Sequence, residues 1–267
     1  MRGIPLARSP VGQPCFAKRF RMIRGIYHSA AGMLPRYLRL ASLSNNLANS
    51  STHGYKADRR YFSTLLNNEI VQGGPWGEGT RIGDLEEGFF TEFEQAHLEK
   101  DNVPTHLAVN GPGFFKLENP DTGEIQYTRN GTFRLNQQNE LVNWMGWNVL
   151  DTTSSPIIVD GDKLAVNEVG HVYVDGQHKG NIALVDFDDR SQLVKRGNSM
   201  WAAGEEMIEK DAEEGKIVQG SLEASNVNPI EEMVIMIELN RNYESSQKAM
   251  IAQDSTVQKA VNNVGKF

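Results

Sequence analysis

From Ile230 to Val264 the chain contains neither glycine nor proline. No other stretch limits the possible folds as much. A start signal precedes it: Asn228 is a good N-cap, Pro229 suits the first helical position, and Glu231 sits three residues after the cap. Glu232 adds a second acid where the helix dipole favours negative charge. The pattern predicts one helix from Pro229 to Val264, about 54 Å long at 1.5 Å per residue. Met236, Tyr243, Met250, Val257 and Val264 repeat every seventh residue. The positions four residues further on are Asn240, Gln247, Asp254 and Val261, so the flank is mostly polar. A helix with so narrow an apolar stripe gains its stability by packing, and polar flanking positions can select the partner.

Residues 22–49 predict a second helix. Ile26, Ala30, Met33, Tyr37, Leu40, Ser44 and Leu47 fall at alternating spacings of four and three, a heptad seam. Pro35 lies inside it and is expected to interrupt the hydrogen bonding. The helix is expected to end near Asn49, because Ser50, Ser51, Thr52 and Gly54 follow. Two terminal helices, each with an unburied stripe, are most simply satisfied by pairing.

The centre has strand patterns. Between Thr105 and Trp201 short apolar or alternating runs are bounded by turn residues, which predicts a mostly antiparallel β domain. Asn130-Gly131 and Asp175-Gly176 are the strongest hairpin-turn dipeptides. The expected fold class is α+β, with N- and C-terminal helices paired as a coiled-coil-like domain around a central antiparallel β domain. The expected divisions are a basic disordered tail or mis-assigned start over 1–21, the N-terminal helix over 22–55 and an extended linker over 56–104. The β domain follows over 105–203, then an acidic connector over 204–225 and the C-terminal helix over 226–267.

Residues 1–21 hold five basic residues and no acid, whereas most of the acidic excess lies between 50 and 225. An acidic centre argues against nucleic acid as the main partner. No stretch approaches the ~20 apolar residues of a membrane span, so no membrane insertion is expected. The only cysteine is Cys15, which excludes an intrachain disulfide framework. The six histidines show no metal-ligand spacing, and Asp186, Asp188 and Asp189 read as a solvated turn. Asn110-Gly111-Pro112-Gly113 reads as a tight turn feeding an apolar strand, without the helix a phosphate loop needs. No catalytic set emerges, and no cofactor or metal is expected.

Several segments resemble one family. Met22-Ile23-Arg24-Gly25-Ile26-Tyr27, Ala31-Gly32-Met33, Ser44-Asn45-Asn46-Leu47-Ala48-Asn49 and Gly54-Tyr55-Lys56 resemble the N-terminal signature of bacterial flagellar rod and hook proteins. Ala108–Phe115 with Tyr127-Thr128-Arg129-Asn130-Gly131-Thr132-Phe133 resembles the central motif of the rod subgroup. Leu222-Glu223-Ala224-Ser225-Asn226-Val227-Asn228 and Met236–Tyr243 resemble the C-terminal signature. The resemblance implies a non-enzymatic subunit of the flagellar basal-body rod, with the proximal rod type favoured over the distal. It implies export by the flagellar type III apparatus without a cleaved signal, and helical stacking through paired terminal helices. The expected partners are further copies of the chain, neighbouring rod and hook proteins, and the export apparatus. The expected assembly residues are Ile26, Ala30, Met33, Tyr37, Leu40, Asn45, Asn46, Leu47, Asn49, Met236, Asn240, Tyr243, Gln247, Met250, Asp254 and Val257. The alternative is a secreted surface or adhesion protein with a ligand-binding β domain.

Overall fold

The computed structural model describes residues 33, 35–64, 85–204, 207–212 and 214–264. The basic tail, residues 22–32 with Ile26 and Ala30, residue 34 and the Gly-rich run 73–83 lie outside the described residues. Two compact units emerge, one from the described parts of Met1–Ala41 and Ile235–Phe267, the other from Ser42–Val234.

Helix α1 covers residues 35–48 and closes at a turn over 49–50, as the breaker cluster predicts. Helix α2 covers Pro229–Val264, the span predicted from its cap and its lack of Gly and Pro. Asn228 Oδ1 accepts from the Ile230 backbone N–H at 3.1 Å, the N-cap bond expected of it. Glu231 and Glu232 occupy the first turn.

Among the described residues the second unit is built of antiparallel β pairs. Its largest sheet runs in the order Val194–Gly197, Met200–Ala202, Ile125–Thr128, Phe114–Glu118, Asn148–Val149, Leu141–Val142, Arg134–Leu135. Leu184–Asp186 joins beside Phe114–Glu118 and pairs in turn with Lys210–Asp211. Leu164–Val166, His171–Val174 and Gln177–Asn181 form a separate three-stranded meander. Its tight turn is Asp175-Gly176, both residues at positive φ, as that dipeptide predicts.

Phe114–Glu118 is the strand around which this unit packs. Phe115 and Leu117 join a core with Leu107, Phe133, Val149 and Val172. Phe114 turns the other way, into a second core with Tyr127, Phe187 and Trp201. Alternate residues of a strand face opposite sides, so a strand covered on both sides shows a continuous apolar run rather than an alternating one. Aromatic rings lock both layers edge-on: Phe115 to Phe133 at 5.1 Å, and Tyr127 to Phe187 at 4.9 Å between centroids.

Three sequence expectations change. Asn130-Gly131 is not a hairpin turn. Asn130 Oδ1 accepts from Thr132 N at 3.0 Å, and the Gly131 carbonyl accepts from Leu107 N at 3.1 Å. A Cβ on Gly131 would stand 1.5 Å from the Leu107 carbonyl oxygen, so the glycine is there for backbone contact. The stretch 56–104 contains paired strands: Asp58–Thr64 lies against Leu85–Thr91, and Leu98–Lys100 against Ser221–Glu223. The acidic stretch 204–225 contributes Lys210–Asp211, Lys216–Gln219 and Ser221–Glu223 to the β pairs, because Ile217 and Leu222 are buried apolar positions among its charges.

Candidate functional site

Parts of all three resembling signatures converge within the unit Ser42–Val234: residues 44–56, 108–133 and 222–228. Tyr55–Asp58 leaves the turn that ends at Gly54 in extended form and is held on both sides. Tyr55 Oη donates to Asn45 Oδ1 at 2.8 Å and to Asn46 Oδ1 at 3.1 Å. Asn46 also grips the Asp58 backbone twice: its amide donates to the Asp58 carbonyl, and its oxygen accepts from the Asp58 N–H, both at 3.0 Å. On the other side, Asn226 Oδ1 accepts from Ala57 N at 2.8 Å and Asn226 Nδ2 donates to the Glu92 carbonyl at 2.7 Å. A side-chain amide suits both positions because it carries a donor and an acceptor, as a backbone edge does.

At the centre stand three fully buried charges. Lys56 Nζ donates to Glu223 Oε1 and to the Glu94 carbonyl, each at 2.6 Å. Arg129 approaches the other carboxylate oxygen at 3.5 Å and lies over the Phe114 ring at 5.2 Å. Ala96 N donates to Glu223 Oε1 at 3.1 Å, and Gly54 N to the Glu223 carbonyl at 2.7 Å. Burial pushes the Lys56 ammonium below its ordinary range, and the pull of Glu223 does not fully offset it. Burial likewise lowers Arg129, against the attraction of Glu223. Burial, with the Asp58 and Glu232 carboxylates, raises the Tyr55 phenol above its usual value. Gly54 is forced by contact here: a Cβ would stand 2.4 Å from Asn130 N, and its φ is +66°.

A second ring of ion pairs surrounds the node. Arg59 bridges Glu92 at 3.1 Å and Glu232 at 2.8 Å, so the first turn of α2 is tied to the strand Asp58–Thr64. Lys195 pairs with Asp58 at 2.8 Å and sits 4.4 Å from the Tyr55 ring centroid. Such a network can orient chain segments. An open cleft of about 370 Å³ lies beside it, lined by Arg59, Glu92, Glu94, Gln95, His97 and Asn226 among others, and among the described residues no metal-binding group of three His, Cys, Asp or Glu occurs.

The expected assembly residues fall into distinct classes. Met33, Leu40 and Leu47 are partly covered, but Tyr37 is 59% exposed, and the covered positions between them include Arg36, Leu38, Ser42 and Leu43. Arg36 donates to Ser246 Oγ, a bond between α1 and α2 within one unit. On α2 the partly covered row is Met236, Leu239, Tyr243, Ser246, Met250, Gln253 and Val257. Asn240, Gln247 and Asp254 are exposed. Asn49 binds back to Asn45, its amide donating to the Asn45 carbonyl at 2.9 Å. Asn45 holds Tyr55, and Asn46 is fully buried with both amide atoms engaged, so Asn46 has no surface to offer a neighbouring subunit. Glu223, Lys56, Arg129 and Asn226 escape any reading of periodicity. Their one sequence signal is that they lie inside the resembling segments.

Two family models match the chain: the C-terminal part of flagellar basal body rod FlgEFG proteins over residues 218–263, and the D1 domain of flagellar hook proteins FlgE/F/G over residues 108–174. These spans contain Glu223, Asn226 and α2 on one side, and Arg129 with the central strand on the other. The chain is 32% identical over 257 residues to the flagellar basal-body rod protein FlgG of Buchnera aphidicola subsp. Acyrthosiphon pisum, covering 89% of this chain and 98% of the relative. It is 30% identical to the flagellar hook-basal body complex protein FlhO of Bacillus subtilis, over 92% of this chain and 100% of the relative. It is 31% identical to the flagellar basal-body rod protein FlgF of Caulobacter vibrioides, over 84% and 91%. A likeness of this degree, running nearly end to end and meeting at one buried node, places the chain in the flagellar basal-body rod protein family.

Proposed function

We propose that the chain is a non-enzymatic structural subunit of the rod that polymerises helically through its terminal helices. One observation carries this. Beside the partly covered row, α2 exposes a second apolar patch: Ile230, Met233, Val234 and Ile237 group over its first two turns, and Ile251 lies two heptads beyond Ile237 with Glu244 at the position between. Exposed apolar residues grouped on one helix mark an interaction surface. The covered row and the Arg36–Ser246 bond support pairing of α1 with α2 in a coiled-coil-like domain. The second patch is then free for neighbouring copies and other rod or hook components, with Asn240, Gln247 and Asp254 beside it setting register. A repeated, non-closing contact of this kind builds a tube.

In this reading the chain is exported by the flagellar type III apparatus without a cleaved signal and resides in the basal body within the cell envelope. The short segment 84–104 supports the proximal type over the distal. Relatives named FlgG and FlgF match at nearly equal identity, so position in isolated basal bodies, toward the export apparatus or toward the hook, decides the subtype. Deleting Asn240–Phe267 is expected to abolish incorporation while the β unit still folds. A truncated chain that still enters the rod refutes helix-driven assembly, and one that retains function as a surface binder restores the adhesion reading.

A further inference from the structure

The turn Asn143–Gly146 is built to present an indole. Asn143 is buried, and its Oδ1 accepts from both Met145 N and Trp147 N at 2.9 Å, which stiffens the turn. Trp144 is nevertheless 52% exposed and Met145 41%. Leu135, also exposed, lies on the strand that pairs with Leu141–Val142, and Arg134 donates to the Trp144 carbonyl at 3.0 Å. Asn198 Nδ2 reaches Met145 Sδ at 3.4 Å, so a second turn abuts the first, and the exposed Arg196 lies two residues before Asn198 in sequence. Neither Arg134 nor Arg196 has a carboxylate partner among the described residues. An exposed tryptophan with methionine and leucine, flanked by uncompensated arginines, has the composition of an interface anchor.

The same unit carries a surface of opposite character. An open cleft of about 460 Å³ is lined by Pro112, Phe187, Asp186, Asp188, Asp211 and Glu214, with Lys210 and Ala212. Asp186 is engaged by Arg190 and Asp188 by Lys210. Asp211 and Glu214 have no basic partner among the described residues. The cleft therefore offers the partly exposed Pro112 and Ala212 as apolar surface for an indole, and two carboxylates without basic partners for two guanidinium groups without carboxylate partners.

We infer that the Trp144 tip of one copy docks into this acidic cleft of the next copy. The inference rests on the rod-subunit reading above. A second copy is favoured over another protein because both complementary surfaces belong to this chain. They are also different surfaces, and a different-patch contact propagates along a filament instead of closing a dimer. It adds a contact between β units to the one proposed for the helices.

The test uses the full-length chain as the only copy in the cell, carrying Cys15→Ser, Met145→Cys and Ala212→Cys. Mild oxidation of isolated basal bodies is expected to give a ladder of cross-linked multimers, and either cysteine alone none. A chain present in basal bodies that gives no ladder overturns the docking and leaves the rod reading standing. A chain absent from basal bodies overturns both. A Met145→Cys adduct to a different protein replaces the second copy and overturns the inference. Independently, R134E with R196E is expected to lower incorporation about tenfold, and adding D211K with E214K to restore it to within about twofold. Failure of that rescue in variants with native near-UV circular dichroism also refutes the docking.

Discussion

Replacing Glu223 with glutamine is the sharpest probe of the buried node. The volume is kept and one charge is removed. Lys56 and Arg129, both fully buried, then face a neutral amide in place of a shared carboxylate. Removing one member of a buried ion pair costs about 3–5 kcal/mol, because the remaining charge stays desolvated. Lys56 has one escape, which is to release its proton. From an ordinary value of 10.5, that release costs about 5 kcal/mol at pH 7 but only about 2 kcal/mol at pH 9, at about 1.36 kcal/mol per pH unit. The sign follows directly. A lysine neutral in the fold and charged in the unfolded chain leaves the unfolded state binding more protons, so stability rises with pH below 10.5. E223Q is therefore expected to lose about 4 kcal/mol at pH 7, roughly a thousandfold in the unfolding constant, and clearly less at pH 9. Removing the trapped cation as well, in K56M/E223Q, is expected to recover at least about 1 kcal/mol at pH 7. Urea unfolding followed by the fluorescence of buried Trp201 measures all three. A loss below about 1 kcal/mol for E223Q at pH 7, or a double variant no more stable than E223Q, refutes the account.

Asn228→Ala removes the cap of α2 and is expected to cost about 1 kcal/mol, read by urea denaturation; no change means the Ile230 N–H finds water as good a partner. Gly131→Ala is expected to prevent folding, since its Cβ would collide with the Leu107 carbonyl, whereas Gly176→Ala, at φ +82° in open space, is expected to cost about 1 kcal/mol. Comparable soluble yield and melting temperature for the two would contradict the packing described. Tyr127 donates to Glu209 Oε1, and burial together with that carboxylate raises its pKa. Its contribution to stability is complete below about pH 10, where the unfolded phenol is also neutral, and is lost as pH rises further. Tyr127→Phe is therefore expected to flatten the alkaline limb of the stability–pH curve, and an unchanged limb in chemical denaturation at pH 9–11 speaks against it.

Features written in local sequence were legible, and those that depend on distant partners were not. The bounds of α2 follow from Asn228, Pro229 and the absence of Gly and Pro, all local. The turn Asp175-Gly176 follows for the same reason. The phase of the helical seams did not. A row repeating every seventh residue, such as Met236, Tyr243 and Met250, can be completed three or four positions later. On α2 Asn240 and Gln247 stand apart in sequence as a polar flank, and they are exposed, but the sequence did not single out Leu239 and Ser246, three positions on, which complete the covered side. On α1 the same ambiguity exchanged Arg36 and Leu43 for Tyr37 and Ser44. Only the position of a partner breaks that tie. The node was legible as a set of resembling segments, but the reason they matter was not, because Glu223 acquires its meaning only beside Lys56, 167 residues earlier.

That separation has a consequence for the order of events when the chain is made. The bonds that hold Gly54–Arg59 come partly from Asn45 and Asn46, which are nearby and already synthesised, and partly from Glu223, Asn226 and Glu232, which lie 167–173 residues ahead of their partners. Closing so long a loop is entropically unfavourable and brings no return until the last contributor has appeared. Before residue 223 is present, Lys56 has no carboxylate to meet and every reason to stay in water. The node therefore acts as a completion check: an unfinished chain can form local turns and hairpins, but its first signature segment stays unlatched until its last one arrives.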